Sequence, residues 1–123
     1  MNRFKLKLAK SDELVEDFFA TSLWMYNAIE DDDDVEFNRL FAHMRLVRAE
    51  LKSRPGDHRH LLVPLLTHEN PQLRLNAIKS TLAIAPVEAR SALEELASST
   101  YVPYDFEARS TIGNLDSGFW VPD

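Results

Sequence analysis

The sequence predicts an all-α fold of about five to six helices, on three observations. Apolar residues recur at intervals of three and four through most of the chain, the spacing that gathers side chains on one face of a helix. Capping residues and prolines stand where these periodic stretches begin. No run alternates apolar and polar residues with period two, and no hairpin turn signal appears. The 123 residues predict one domain spanning 1–123, large enough to bury roughly two-thirds of its unfolded surface without metal or disulfide.

Residues 1–11 read as a basic arm, with Arg3, Lys5, Lys7 and Lys10 and no acid before residue 11. Ser11 is the expected N-cap of a first helix over about 12–30, with Asp12 and Glu13 in the first turn where the helix dipole favours anions. Its stripe is Leu14, Phe18, Met25 and Ile29, with Val15, Phe19 and Tyr26 beside it. Asp33 to Glu36 reads as a capping box with an acid at the N-cap and Glu at N3. The helix that follows carries Phe37, Leu40, Phe41, Met44, Val47 and Leu51 as a core-facing stripe. Ser53-Arg54-Pro55-Gly56 stops it, because Pro cannot continue the ladder and Gly takes the reversed backbone readily.

Asp57 is the expected cap of a third helix with Leu61, Leu62, Leu65 and Leu66, bent by Pro64 inside it. Asn70-Pro71 opens a fourth helix with a capping side chain followed by Pro at N1. Leu73, Ala77, Ile78 and Leu82 form its buried face. Pro86 repeats the device for a fifth, with Ala89, Leu93, Leu96 and Ala97 inward. Residues 101–123 then form an aromatic tail, which holds a short helix over Phe106 to Leu115 capped by Asp105. The tail's aromatics are expected to pack on the fifth helix and close the core.

The run His68-Glu69-Asn70-Pro71-Gln72-Leu73-Arg74-Leu75-Asn76-Ala77 resembles the inter-helix turn and second helix of a HEAT repeat. Leu61-Leu62-Val63-Pro64-Leu65-Leu66 resembles its bent first helix, and Leu73 stands where valine is commoner. More broadly, residues 12 to 123 resemble a bacterial family built on a domain of unknown function with a HEAT-like helical fold. That resemblance is carried by Asn38-Arg39-Leu40, by Leu62 with Pro64-Leu65-Leu66, and by Asn70-Pro71 with Arg74. Pro86, Ala89 and Leu93, and then Ala108, Leu115 and Gly118, continue it. It implies a short HEAT-like α-α superhelix, in which the first two helices and the tail cap the array. It implies no activity.

Composition narrows the function further. The absence of cysteine excludes thiol catalysis, thiolate zinc sites and disulfides, and fits a reducing, cytoplasmic location. A net charge of −6 and a pI of about 5.2 oppose phosphate binding. A nucleic-acid surface would need Arg39, Arg45, Arg48, Arg59 and Arg74 in one stripe. No run approaches the roughly 20 apolar residues of a membrane span.

His43, His58, His60 and His68 show no metal-ligand spacing, and Asp31, Asp32, Asp33 and Asp34 lack the alternation and Gly turn of an EF-hand. No nucleophile elbow or triad signature occurs. The sequence therefore predicts no catalytic residue, cofactor or metal. It predicts a non-catalytic module for an unidentified protein partner, and in its sharper form an immunity-type inhibitor that steers a basic toxin through its acids. The expected partner surface comprises Asp31, Asp32, Asp33, Asp34, Trp24, Arg39, Arg74 and Trp120. The alternative is an enzyme or ligand-binding protein with a pocket between the first two helices and the C-terminal tail.

Overall fold

The computed structural model describes the backbone of residues 3–123 and side chains from Lys5 onward. Met1, Asn2 and the Arg3 side chain of the basic arm lie outside the described residues. Among the described residues the chain is helical without strands: α1 (Arg3–Leu8), α2 (Ser11–Glu30), α3 (Asp34–Ser53), a 3₁₀ helix (His58–Thr67), α4 (Pro71–Thr81), α5 (Pro86–Ala97) and α6 (Tyr104–Asp116). These seven segments exceed the five or six expected, because the basic arm itself winds into α1. Two contacts explain that helix. Leu6 is buried, and the Arg54 guanidinium donates to the Leu6 carbonyl at 3.0 Å, satisfying an acceptor near the helix end.

The residues form two compact units, one ending at Leu61 and the other beginning at Leu62. In the first, α2 and α3 are neighbours joined by three residues, as short loops dictate. Leu14, Phe18 and Met25 of α2 and Leu40, Met44, Val47 and Leu51 of α3 are buried as their spacing predicts. Asp33 caps α3 as expected, its Oδ1 accepting from the Glu36 amide at 3.0 Å. The reciprocal half of the capping box is missing, because the Glu36 carboxylate bonds to Arg39 instead.

Three local expectations are corrected here. Ser11 is the first residue of α2 rather than its cap. Its hydroxyl meets Nδ1 of His58 at 2.6 Å and accepts from Arg54 at 3.0 Å, so a distant contact displaces the local one. Phe41, assigned to the core stripe, is 40% exposed and stacks on Phe37, with the Arg45 guanidinium 6.0 Å from its ring centroid. The helix after Asp57 is 3₁₀ rather than α. Its tighter winding, three residues per turn, leaves Leu61 exposed and accommodates Pro64 over a ten-residue span.

The turn before that helix is held by one ion pair. Asp57 adopts a positive φ of 52°, which Asp tolerates better than most residues. Its carboxylate accepts from Arg59 Nε at 2.9 Å and from Nη2 at 2.8 Å. Arg59 is only 2% exposed, and its Nη1 is buried without a hydrogen-bond partner among the described residues. Hydrogen bonding by Arg59 holds the Asp57 carboxyl below its ordinary pKa.

In the second unit α5 packs against both α4 and α6. Asn70 caps α4 as predicted, its Oδ1 accepting from the amides of Gln72 and Leu73, both at 3.1 Å. α4 is buried nearly all round, although it carries Gln72, Asn76, Ser80 and Thr81. These polar groups bond along their own helix. Gln72 Nε2 donates to Asn76 Oδ1 at 2.8 Å, Ser80 to the Asn76 carbonyl at 2.7 Å, and Thr81 to the Ala77 carbonyl at 2.8 Å. Ala89, Leu93 and Leu96 bury as expected, whereas Ala97 stays partly exposed.

The tail departs most from expectation. α6 starts two residues before Phe106, because the Tyr101 and Pro103 carbonyls accept from Asp105 and Glu107 and Tyr104 is buried. Asp105 therefore lies in the first turn and not at the cap. Of the tail aromatics Tyr104 alone is buried; Tyr101, Phe106 and Phe119 are exposed, Phe119 to 83%.

Two outcomes follow for stability. Asn70→Ala lowers the unfolding free energy by about 1 kcal/mol in urea titration, the usual cost of losing a cap. Asp57→Asn keeps a side chain compatible with positive φ but strands the buried Arg59 charge. Its cost at pH 7 is about 2 kcal/mol, below that of a fully buried pair because Asp57 keeps 30% of its side-chain surface in water. A carboxyl with a depressed folded pKa stabilises above its unfolded pKa of about 4 and loses that contribution as pH falls through the folded value. The gap between wild type and Asp57→Asn therefore closes between about pH 4 and more acid conditions, as paired urea titrations read directly.

Candidate functional site

Residues 11–38 contain ten Asp or Glu and no Lys or Arg. α2 and the start of α3 therefore bring a dense negative charge to one hairpin. Between the two helices runs a furrow made of two adjoining hollows of about 400 and 530 Å³. The two share Trp24, Arg39 and Leu40. Asn27, Ala28, Asp31, Asp33 and Glu36 complete the hollow nearest the turn; Glu13, Glu16, Asp17 and His43 are the ionisable residues found only in the other.

The turn sets the positions of the first group. The Asp33 amide donates to the Ala28 carbonyl at 2.9 Å, Asp32 takes a positive φ of 52°, and Asp33 then caps α3. Asp31 and Asp33 are thereby held beside the last turn of α2, facing Glu36 one turn into α3. Arg39 lies one turn further on and forks onto Glu36, Nε to Oε2 at 2.9 Å and Nη2 to Oε1. Hydrogen bonding by Arg39, aided by its positive charge and against partial desolvation, holds the Glu36 carboxyl below its ordinary pKa. Trp24 is 58% exposed at the junction of the hollows, and neither it nor Asp31 has a side-chain hydrogen bond or ion pair among the described residues.

Deeper in the furrow Asp17 accepts from Thr21 at 2.9 Å and meets His43 Nε2 at 2.9 and 3.1 Å. This pair positions an imidazole, but Thr21 spends its hydroxyl on the same carboxylate and supplies no activated nucleophile. Among the described residues no three His, Asp or Glu side chains converge as a metal site requires. The furrow thus gathers several carboxylates, one exposed indole and, among the described residues, one guanidinium.

Of the residues expected to form a partner surface, Trp24, Asp31, Asp33 and Arg39 are brought together here. Asp32 and Asp34 are exposed at the turn but do not line the furrow. Arg74 and Trp120 belong to the second unit, where different neighbours engage them. Arg74 donates to Glu95 at 3.0 Å, whereas Trp120 lines a hollow of about 300 Å³ with Lys79, Thr111, Asn114 and Phe119. Arg59, required for a basic stripe, is buried on Asp57. Sequence reasoning missed Glu36, Asp17 and His43 as furrow residues. The sequence marks Glu36 only as a capping partner, and Asp17 and His43 lie 26 positions apart with nothing local to connect them.

Residues 12–116 match the family described as "Domain of unknown function (DUF2019)". The fold is also similar to the crystal structure of the protein RPA1889 from Rhodopseudomonas palustris CGA009, at 37% sequence identity and a TM-score of 0.93. That similarity covers 96% of this chain and 98% of the other. No curated protein matches the chain.

Two substitutions separate packing from exposure within the furrow. Asp17→Ala strands the Thr21 hydroxyl and His43, and lowers stability by about 1–2 kcal/mol. Trp24→Ala removes a largely exposed ring and changes stability by less than about 0.5 kcal/mol. Urea titrations of the two variants against wild type measure both values.

Proposed function

We propose that this chain, which belongs to the family of the domain of unknown function DUF2019, is a non-catalytic interaction module that binds a Lys- and Arg-rich segment of a protein partner in its α2–α3 furrow. The observation that carries this reading is the exposed Trp24 ring set among Asp31, Asp33 and Glu36 in one groove. Leaving an indole 58% in water has no folding benefit. Beside carboxylates it provides a face for cation–π contact, while the acids neutralise the ligand's charge. The furrow's two hollows offer room for several side chains in a row rather than for one enclosed small molecule.

We further read the helical stack as HEAT-like, with the 3₁₀ helix and α4 standing for one repeat. The Pro64-containing 3₁₀ segment followed by the Asn70-capped α4 supports that reading. Broad surfaces made by successive helices usually serve binding. The chain has no cysteine, and no described helix is long and apolar enough to cross a membrane; both fit the cytoplasm, where we place it. An immunity-type inhibitor of a basic toxin is the form of this function in which the acidic furrow does most, since charge complementarity speeds encounter and selects against acidic competitors.

The test is titration with an acetylated hexalysine or hexa-arginine amide, read by the fluorescence of Trp24 in a Trp120→Phe background. Trp24 is then the sole tryptophan. Binding should weaken steadily between about 50 and 500 mM salt. Trp24→Ala, followed by calorimetry, should cost about fivefold or more in affinity. Asp31→Asn with Asp33→Asn should weaken binding, while neutralising Glu69 and Glu88 of the second unit should not. Equal losses from both acidic pairs would show attraction by net charge alone and would refute a furrow site.

A further inference from the structure

Among the described residues Arg39 is the one Lys or Arg that lines the furrow, and it lines both of its hollows. The remaining charged lining consists of acids and His43. Its guanidinium is laid flat on the Glu36 carboxylate by two hydrogen bonds, the planar fork that an arginine from outside would also use. Both side chains are exposed, so water competes for each of these bonds and the pair is readily exchanged. Trp24 and Asp31, which share the hollow with Glu36, have no side-chain hydrogen bond or ion pair among the described residues. The hollow thus holds two engaged carboxylates, Glu36 on Arg39 and Asp33 at the cap, next to an indole and the Asp31 carboxylate.

We infer that Arg39 occupies, in the unliganded furrow, the seat of a partner's arginine, which displaces it from Glu36 and stacks against Trp24. This inference rests on the furrow reading proposed above and adds two things to it. The ligand's anchoring residue is arginine rather than lysine, because Glu36 is already presented to a planar two-donor fork and an ammonium supplies only a point charge. And Arg39 is an internal competitor: its charge repels the incoming guanidinium, and its hydrogen bonds must be broken before the ligand's can form. On displacement Arg39 swings to solvent, and Glu36 exchanges one bidentate partner for another, so no carboxylate changes protonation state.

Arg45 supplies the matched control. It lies on the same helix, carries the same charge, and sits against Phe41 outside the furrow lining. In the full-length Trp120→Phe protein, titrated with an acetylated hexa-arginine amide, Arg39→Ala should tighten binding by about two- to fivefold. Arg45→Ala should not. Glu36→Gln should weaken hexa-arginine more than hexalysine, and should abolish the gain produced by Arg39→Ala when the two are combined. Circular dichroism of each variant confirms helix content, which exposed positions leave unchanged. Binding by the parent with no tightening in Arg39→Ala, or with equal tightening in Arg45→Ala, overturns the competitor role while leaving the furrow in place. Failure of the parent and of every variant to bind either peptide overturns the furrow reading and this inference together.

Discussion

The α2–α3 turn is the constraint on which the first unit depends. Four consecutive aspartates repel one another in any compact arrangement, so a turn built from them has to give that charge other work. Asp33 is used as the cap of α3, Asp32 takes the left-handed backbone that reverses the chain, and the Asp33 amide ties back to Ala28. The reversal brings α3 alongside α2. Their apolar stripes then meet, with Leu14, Phe18 and Met25 on one helix and Leu40, Met44 and Val47 on the other all buried. The same geometry leaves Asp31 and Asp33 at the mouth of the interhelical groove, where Glu36 and Trp24 join them. One turn therefore serves both core and furrow.

Electrostatics in this unit has two regimes. The Arg59–Asp57 pair is largely withdrawn from water and holds a turn at positive φ, so its carboxylate is part of what keeps the chain folded. The Arg39–Glu36 pair is exposed, and helix ends and surfaces carry many such pairs at little cost or gain. Its significance lies in where it sits. It places a guanidinium on a carboxylate in a groove whose other charged lining, among the described residues, is acids and His43.

The second unit solves a different problem. α4 is nearly all buried yet carries four polar side chains, which an apolar environment penalises unless each finds a partner. Spacing of four residues supplies the partners from within: Gln72 reaches Asn76, Ser80 reaches the Asn76 carbonyl, and Thr81 reaches that of Ala77. The helix thereby enters the core with its polar groups served locally. The tail behaves in the opposite way. Tyr104 alone of its aromatics is buried, and Phe106 and Phe119 stay at the surface.

By itself the sequence determined what local physics decides. Helical periodicity, the caps at Asp33 and Asn70, the Pro starts at Pro71 and Pro86, and most of the buried stripe all depend on residues within a turn or two of one another. Half of the candidate surface was legible on the same grounds, since Asp31, Asp33, Trp24 and Arg39 belong to one hairpin whose turn could be read. Tertiary structure decided the rest. α1 forms because Leu6 is buried and Arg54, 48 residues away, holds its carbonyl. Ser11 gives up capping for His58 and Arg54, Asp17 finds His43, and α4 goes inside with its polar groups paired. Arg74 and Trp120 do not line the furrow: Arg74 is engaged by Glu95 of α5, and Trp120 lies with Lys79 of α4 and with Thr111 and Asn114 of α6. For α1, Ser11 and Asp17 the deciding partner lies 26 or more positions along the chain, and a contact of that kind leaves no periodicity behind it.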